Sequence, residues 1–231
     1  MRGVLYIKNN LVRRVLPFYL FISILFSCTT DSYDKGEGKY SLIQADFTEL
    51  NINSEKCGIS FLTDEGDEYL LNKPLTASWI ETADTIYRTA IYYNKVEDGK
   101  AELRSIGIMP TLCPKDAKEF KKLPQDPVGM ESAWLTSNSK YINLGLLLKN
   151  GRNDAGKEGV HSLALVQDEV RENDDHTHTA YYRLLHLQGE APEYYTNRHY
   201  VCILLPKENR PDSVCLTVKT YDGVVVKKFK L

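Results

Sequence analysis

Long apolar runs, an excess of basic residues and helical periodicity are missing from most of this sequence. Beyond residue 30, no apolar stretch approaches the roughly 20 residues that a membrane-spanning helix needs. The 29 lysines and arginines are outnumbered by 31 acidic residues. Nucleic-acid binding relies on clustered basic side chains that neutralise phosphates, so we expect no nucleic-acid partner. The five cysteines are too few and too irregularly spaced to define a disulfide framework.

The N-terminal segment differs from the rest and has the pattern of an export signal. Residues 1–14 carry four bases and no acid, and residues 15–26 are uncharged and mainly apolar. Twelve residues span only about 18 Å as a helix, less than the roughly 30 Å hydrocarbon core of a bilayer. Residues 1–27 are therefore predicted to be a cleaved signal peptide. An ordinary secretory signal is the alternative to the lipoprotein signal considered next.

The end of this segment predicts a lipid anchor. Leu25-Phe-Ser-Cys28 has an aliphatic residue three positions before the cysteine and a small residue just before it, as in a bacterial lipobox. We expect acyl chains on Cys28 to hold the protein on a membrane, with residues 28–38 as a polar tether. The expected location is the cell envelope, at the outer membrane. Removing four bases and no acids leaves 25 bases against 31 acids, a mature net charge of −6.

Apolar and polar residues alternate with period two in nearly every remaining segment, which predicts an all-β protein. Residues 39–110 contain about five such segments, with glycine-containing turns at residues 64–67 and 97–100. This layout favours a small closed barrel of the OB type, and an open meander is the alternative. In the first strand, Gln44, Asp46 and Thr48 are predicted to face solvent. Residues 79–84 have the composition of a short helical turn.

Two further regions follow the predicted barrel. Residues 111–126 are rich in proline and lysine, which predicts a linker between domains. Residues 127–231 contain about seven alternating segments, typical of a β-sandwich. The last strand carries three lysines that suit an exposed sheet edge. Beyond Cys28 the cysteines are Cys57, Cys113, Cys202 and Cys215. Cys202 and Cys215 lie on one predicted hairpin and are the only pair we would test, although buried free thiols fit equally well.

Four short motifs, in this order, give the chain a family resemblance. They are Cys28, the segment Gly38-Lys-Tyr-Ser-Leu-Ile-Gln-Ala-Asp-Phe47, Asp126-Pro-Val128 and Lys140-Tyr-Ile-Asn143. With these motifs the mature chain resembles the NigD-like lipoproteins of Bacteroidales. The resemblance implies an N-terminal OB-like domain and a C-terminal β-sandwich, in agreement with the strand pattern. It also suggests a role in bacteriocin immunity, and it carries over no catalytic residues.

Exposed aromatic side chains are the candidate ligand contacts. Trp79, Tyr87, Tyr92 and Tyr93 could form an aromatic platform on the barrel, the usual ligand face of OB folds. Tyr194 and Tyr195 form a second candidate in a predicted loop over residues 190–199. In both places the alternative is that some of the rings belong to the core. A mildly acidic body favours a glycan or protein ligand over a nucleic acid.

The densest cluster of chemically reactive side chains is Asp174-Asp-His-Thr-His178. His176 and His178 could point the same way and bind zinc, but catalytic zinc needs a third protein ligand that the sequence does not place. A solvated hairpin loop is the alternative. The glycine and lysine spacing of residues 151–157 resembles a phosphate-binding loop. Glu158 stands where a magnesium-binding Ser or Thr is required, which excludes that assignment.

The sequence therefore predicts a non-catalytic envelope lipoprotein without a cofactor. Its expected partners are the membrane, through Cys28, and a protein or glycan ligand, with bacteriocin immunity as a special case. A metal-dependent hydrolase that uses the loop of His176 and His178 is the alternative from another functional class. No serine, cysteine or threonine lies in a recognisable nucleophile motif.

Overall fold

The computed structural model describes residues 42–96, 99–154 and 156–231, and this part of the chain contains fourteen strands and one 3-10 turn. Residues 43–231 form one compact unit. The predicted signal peptide, the lipidated Cys28 and the tether of residues 28–38 lie outside the described residues. Within the described ranges, no helix is long and apolar enough to cross a bilayer.

The first five strands close into a barrel in the order β1-β2-β3-β5-β4. They are β1 (Ile43–Ile52), β2 (Gly58–Thr63), β3 (Glu68–Leu75), β4 (Ile86–Val96) and β5 (Lys100–Ile108). All neighbours are antiparallel except β3 and β5, which run parallel. Leu50, Phe61, Ile91 and Tyr93 fill the barrel. The closed barrel is confirmed, and the open meander is wrong.

The next seven long strands form the predicted sandwich, which is also confirmed. They are β8 (Gly129–Leu135), β9 (Tyr141–Asn150), β10 (Ser162–Glu172), β11 (His178–Leu187), β12 (Tyr195–Leu204), β13 (Ser213–Thr220) and β14 (Gly223–Lys230). One sheet has the order β14-β13-β11-β10-β7 and the other β6-β12-β9-β8. Leu144, Leu165, Ile203 and Leu216 belong to the core between them. The lysine-rich β14 is an edge strand, as expected.

The segment that we interpreted as a linker contributes strands to both sheets. Strand β6 (Thr111–Leu112) runs parallel to β12, and β7 (Pro114–Asp116) runs parallel to β10. Both are edge strands. Pro114 is tolerated because an edge strand has one side without ladder partners, where a missing N–H costs no hydrogen bond. A 3-10 turn at Ala117–Glu119 follows, closed by a capping box with Asp116.

Three local predictions are wrong. Thr48 does not face solvent: it is fully buried, and its hydroxyl lies 2.8 Å from that of Thr89 on β4. Residues 79–84 form no helix, only a turn in which Ile80 donates to the Ala77 carbonyl. Residues 195–199 are strand rather than loop, because their backbone pairs with β9 although most of their side chains are polar and exposed.

The cysteine pair that we singled out is also separated by the fold. Cys202 lies on β12 and Cys215 on β13, and these strands belong to different sheets. The connection that looked like a hairpin crosses from one sheet to the other. All four cysteines of the described residues are free, and Cys202 is fully buried.

Candidate functional site

A buried polar network joins the barrel to the sandwich. Arg88 on β4 donates two hydrogen bonds of 2.6 Å to the carboxylate of Asp64, which follows β2. The same guanidinium donates to Oδ1 of Asn143 on β9 at 3.0 Å, and Nδ2 of Asn143 donates to Asp64 at 2.9 Å. Each of the three side chains thus contacts the other two. Such a closed set of charge-assisted bonds fixes how the two parts pack.

A second set of contacts extends this network. Tyr141 donates to the Glu49 carboxylate at 2.6 Å, and Lys140 forms an ion pair with the same carboxylate. Burial raises the pKa of Glu49, but the hydrogen bonds from Lys140 and Tyr141 outweigh it and leave that pKa below its ordinary value. The Arg88 guanidinium lies 4.3 Å from the centre of the Tyr141 ring. Glu49 and Arg88 are therefore both charged at the boundary, where the Nε of Arg88 is buried without a hydrogen-bond partner.

An open cleft of about 350 Å³ lies at the edge of this boundary, and we call it the aromatic cleft. Phe47 of β1 stacks on Trp134 of β8 with ring centres 5.8 Å apart, and it contacts Tyr200 of β12 at 5.1 Å. Tyr92 of β4 completes the set of aromatic side chains. The other lining residues are Ala45, Asp46, Asp64, Glu65, Ala90 and Ile91.

Strand alternation explains why these rings reach the cleft. On β8, Ala133 and Leu135 pack against the sandwich core, so Trp134 between them points away from it. On β12, Val201 is buried in the core and Tyr200 is not. Tyr92, Trp134 and Tyr200 remain 52%, 36% and 38% exposed. Three large aromatic surfaces therefore face solvent around one concave site, an arrangement typical of ligand recognition.

The carboxylates that line the cleft differ in whether a cation neutralises them. The Asp64 carboxylate is neutralised by Arg88. Asp46 accepts a hydrogen bond of 2.9 Å from the Tyr93 hydroxyl, a neutral donor. Across the described residues, neither Asp46 nor Glu65 forms an ion pair with a lysine or an arginine, and no lysine or arginine lines the cleft. The Asp46 side chain shares the barrel face of β1 with its partner Tyr93, and the positive charge of Lys95 attracts it. Glu65 is therefore the lining carboxylate that has no cationic partner among the described residues.

A larger cavity of about 720 Å³ borders the aromatic cleft and shares Ala90 and Tyr200 with it. One wall includes His161, whose Nδ1 lies 2.9 Å from Nε2 of His186 in a stacked pair with ring centres 5.2 Å apart. Nδ1 of His186 lies 3.2 Å from the Asp126 carbonyl. Because a carbonyl only accepts, Nδ1 carries the proton and Nε2 is left to accept from His161. Burial lowers the pKa of both imidazoles.

Of the four aromatic residues predicted to form a platform, only Tyr92 lines the aromatic cleft. Tyr93 is 1% exposed and packs against Phe61 inside the barrel, because adjacent strand residues point to opposite faces. Trp79 and Tyr87 contact each other edge to face against the barrel core, and the Tyr87 hydroxyl accepts from the amides of Glu81 and Thr82. A single exposed platform of these four rings is therefore wrong.

The second aromatic candidate lies elsewhere. Tyr194 precedes β12 and Tyr195 begins it, and both are exposed. Neither lines the aromatic cleft. Phe47, Trp134 and Tyr200 were missed as site residues by sequence reasoning. For Trp134 and Tyr200 the available signal was an exposed aromatic residue next to core positions, and that signal does not show that three distant strands converge.

His176, in the β10–β11 connection, and His178, the first residue of β11, each lie near a carboxylate. His176 has a positive φ of 61° and lies 2.7 Å from the Glu172 carboxylate. His178 Nδ1 lies 3.9 Å from Asp212, and Asp175 accepts from the Thr177 amide and hydroxyl. In the described ranges, no three His, Cys, Asp or Glu side chains are grouped to hold a metal. The geometry therefore favours the hairpin interpretation of this loop.

Comparisons with known proteins show which solved structures share the fold of this chain. No protein-family profile and no curated protein matches the chain. A NigD-like immunity protein from Bacteroides caccae is 20% identical with a TM-score of 0.61, over 81% of this chain and 96% of that one. A toxin-related protein, so named provisionally, from Parabacteroides distasonis is 16% identical with a TM-score of 0.61, over 82% and 93%.

A third solved structure is a protein from Bacteroides fragilis that is provisionally named a lipoprotein. It is 13% identical with a TM-score of 0.54, and the match covers 81% of this chain and 97% of that one. At these identities the comparisons concern the fold. The chain therefore shares the barrel-and-sandwich fold of the NigD-like immunity protein, which confirms at the level of the fold the resemblance that its motifs indicated.

Proposed function

We propose that this chain is a NigD-like lipoprotein, anchored at the outer membrane through Cys28, that binds a protein or glycan partner in the aromatic cleft without catalysing a reaction. The exposed rings of Tyr92, Trp134 and Tyr200 around one concave site carry the proposal. Exposed aromatic side chains are costly to leave in water and are enriched where proteins bind ligands. The buried network of Arg88, Asp64 and Asn143 holds the barrel and sandwich walls of the cleft in place.

Bacteriocin immunity is a special case of this function. It is supported by the fold shared with a NigD-like immunity protein and by the name of the toxin-related neighbour. In that case the partner is a toxin or its envelope receptor. Deletion of the gene should then sensitise cells to a co-encoded toxin. Unchanged sensitivity to every such toxin would remove the special case and leave the binding function to be tested separately.

Capture of envelope proteins and glycans tests the binding function. The bait is a soluble form that lacks residues 1–28 and retains every described residue. The variant Tyr92→Ala/Trp134→Ala removes two rings of the cleft, and the control Tyr194→Ala/Tyr195→Ala removes the two exposed rings of the second aromatic candidate, which lie outside the cleft. We expect the wild type and the control to retain the same ligand and the Tyr92→Ala/Trp134→Ala variant to lose it. Loss in the control alone would instead place the ligand at the second aromatic candidate. Equal capture by all three would refute the cleft as the binding site.

The anchor has its own test. Cells that express the full chain are fed a labelled fatty acid, and the label should appear on the wild-type protein but not on a Cys28→Ala variant. We expect the labelled protein in the outer-membrane fraction. Labelling that persists in the variant, or an unlabelled wild type, would contradict lipidation at Cys28.

A further inference from the structure

Strand β12 is paired along its whole length on one side but only at one end on the other. On the first side, all ten residues of Tyr195–Leu204 pair with β9. On the second side, β6 pairs with Cys202 and Ile203, and Cys202 donates to the Pro110 carbonyl at 2.9 Å. Within the described ranges, no strand pairs with residues 195–200 on this second side. We call that side of residues 195–200 the open edge of β12.

A proline explains why the pairing with β6 ends there. In this parallel register, the next donor along the chain of β6 is residue 110, and its acceptor is the Tyr200 carbonyl. Residue 110 is a proline and has no N–H to donate. Backbone groups alternate between the two sides of a strand, so those of Thr196, Arg198 and Tyr200 point to the same side as those of Cys202. The open edge therefore presents a row of unpaired N–H and C=O groups.

Other edges of the sandwich carry features that oppose the addition of a strand, and the open edge of β12 does not. The edge strand β14 carries three lysines, and the edge strand β8 is interrupted by a register shift between Met130 and Ser132. Residues 195–200 contain no lysine or proline and pair with β9 without a shift. The charge of Arg198 is paired with Glu131. An unprotected edge of this kind is a template for a further strand.

The larger cavity gives such a strand a place beside the open edge. Its lining includes Arg198, His199 and Tyr200 of β12, together with the end of β5 and the residues that lead into β10. Ile108 and Val160 line the same cavity and are 48% and 79% exposed. Side chains of an added strand alternate between its two faces. Apolar side chains at alternate positions would therefore cover apolar surface that is now in contact with water.

These observations favour a polypeptide as the partner. An extended peptide repeats N–H and C=O groups at the spacing of a strand edge, and a glycan does not. Resting on the proposed binding function, we infer that the open edge of β12 takes up an extended segment of a partner protein as an added strand, with apolar side chains at alternate positions in the larger cavity. Because Ala90 and Tyr200 line both the larger cavity and the aromatic cleft, the same segment can continue into the cleft.

Calorimetric titration with a matched pair of peptides tests this inference. The probe is the capped peptide Lys-Thr-Val-Thr-Val-Thr-Lys, and its counterpart carries N-methyl groups on two adjacent central residues, which removes an N–H from each edge of the peptide strand. In the protein, Arg198→Pro removes a donor from the open edge and no hydrogen bond to β9. Arg198→Ala removes the same side chain and its ion pair with Glu131 but keeps the N–H. A urea unfolding curve for each variant verifies folding.

We expect the soluble form without residues 1–28 to bind the probe at least tenfold more tightly than the N-methylated peptide. Arg198→Pro should bind the probe at least tenfold more weakly than Arg198→Ala. Should Arg198→Pro fail to fold, the comparison of the two peptides decides alone. Equal binding of both peptides, or binding of neither, would overturn the inference.

Two other occupants of the open edge would give different results. Binding of the probe only by a form that lacks residues 1–41 would assign the edge to the chain's own N-terminal segment and overturn the inference. A dimer that Arg198→Pro dissociates and Arg198→Ala does not, without binding of the probe, would assign it to a second copy and also overturn the inference. If no peptide binds while envelope capture still depends on Trp134, the inference fails and the proposed function stands.

Discussion

Arg88 of the barrel and Asn143 of the sandwich meet at the boundary between the two parts, where the guanidinium Nη2 donates to the amide Oδ1 at 3.0 Å. The two residues are 55 positions apart, and both also bind the Asp64 carboxylate. Asp64 is in turn a lining residue of the aromatic cleft. The contacts that join the barrel to the sandwich therefore also shape the site that we assign to ligand binding.

Replacement of Arg88 by methionine should strongly destabilise the protein. Its side chain is 3% exposed and that of Asp64 10%, so the substitution leaves a buried carboxylate without its cation. We expect a loss of about 3–5 kcal/mol in the free energy of unfolding, measured by urea denaturation. The double variant Arg88→Met/Asp64→Asn should lose less than the single variant, because no charge is then left unpaired. A loss below about 1 kcal/mol for Arg88→Met, the level of an exposed pair, would show that the network is not important for stability.

The stability of the protein should fall as the pH drops below neutrality, in part because of the histidine pair. Burial lowers the pKa of His161 and His186 in the folded state, while the unfolded histidines titrate near 6.5. Below about pH 6.5 the unfolded chain thus binds protons that the folded chain does not, and stability is lost as the pH falls. The stabilisation is complete above the unfolded pKa.

Urea midpoints at about pH 7.5 and about pH 5.5 measure this effect on either side of the unfolded pKa. The variant His161→Asn/His186→Gln should show a smaller drop between the two values than the wild type. His176→Gln, which replaces an exposed imidazole, is the control and should keep the wild-type drop. An unchanged pH dependence in the double variant would show that the pair does not contribute to it.

The four described cysteines should behave as free thiols of very different reactivity. Cys113 is exposed, Cys57 and Cys215 are partly exposed, and Cys202 is buried. Burial also raises the pKa of Cys202, which lowers its thiolate fraction further. In the soluble form without residues 1–28, a thiol reagent should react first with Cys113, and Cys113→Ser should remove that phase. Cys202 should react only on unfolding, and fewer than four thiols in unreduced, unfolded protein would reveal a disulfide.

The purified soluble form should contain no stoichiometric metal. The imidazole of His176 is directed to Glu172 and the carboxylate of Asp175 to Thr177, so this loop satisfies its own polar groups. Elemental analysis of the wild type and of His176→Ala/His178→Ala should give the same result. One metal ion per chain that is lost in the variant would support the hydrolase alternative instead.

The alternation of side chains was sufficient to predict the barrel, the sandwich and most strands. It failed where a strand is covered on both sides. Thr48 and Glu49 are both buried, because β1 faces the barrel core on one side and the sandwich on the other. It also failed at residues 195–199, where backbone pairing with β9 holds polar residues in a strand. A local alternation pattern predicts burial against one surface only. Burial against the second surface depends on tertiary contacts.

The candidate site was less predictable than the fold. Tyr92 was identified among the aromatic candidates, but its neighbour Tyr93 could be assigned to the core only once strand parity and the register shift between these two residues were known. Phe47 and Tyr200 lie 153 positions apart and touch only because β1 and β12 meet at the boundary. Such a contact depends on how the barrel docks on the sandwich, which no short segment encodes.

The indole N–H signals of the two tryptophans test the central claim most directly. Trp134 lines the aromatic cleft, whereas Trp79 packs against Tyr87 on the barrel, and Trp134→Phe assigns the two signals. On addition of the ligand that the wild-type bait captures from the envelope to ¹⁵N-labelled soluble protein, the Trp134 signal should move with saturation and the Trp79 signal should stay in place. Movement of the Trp79 signal alone, or of neither signal, would contradict ligand binding in this cleft.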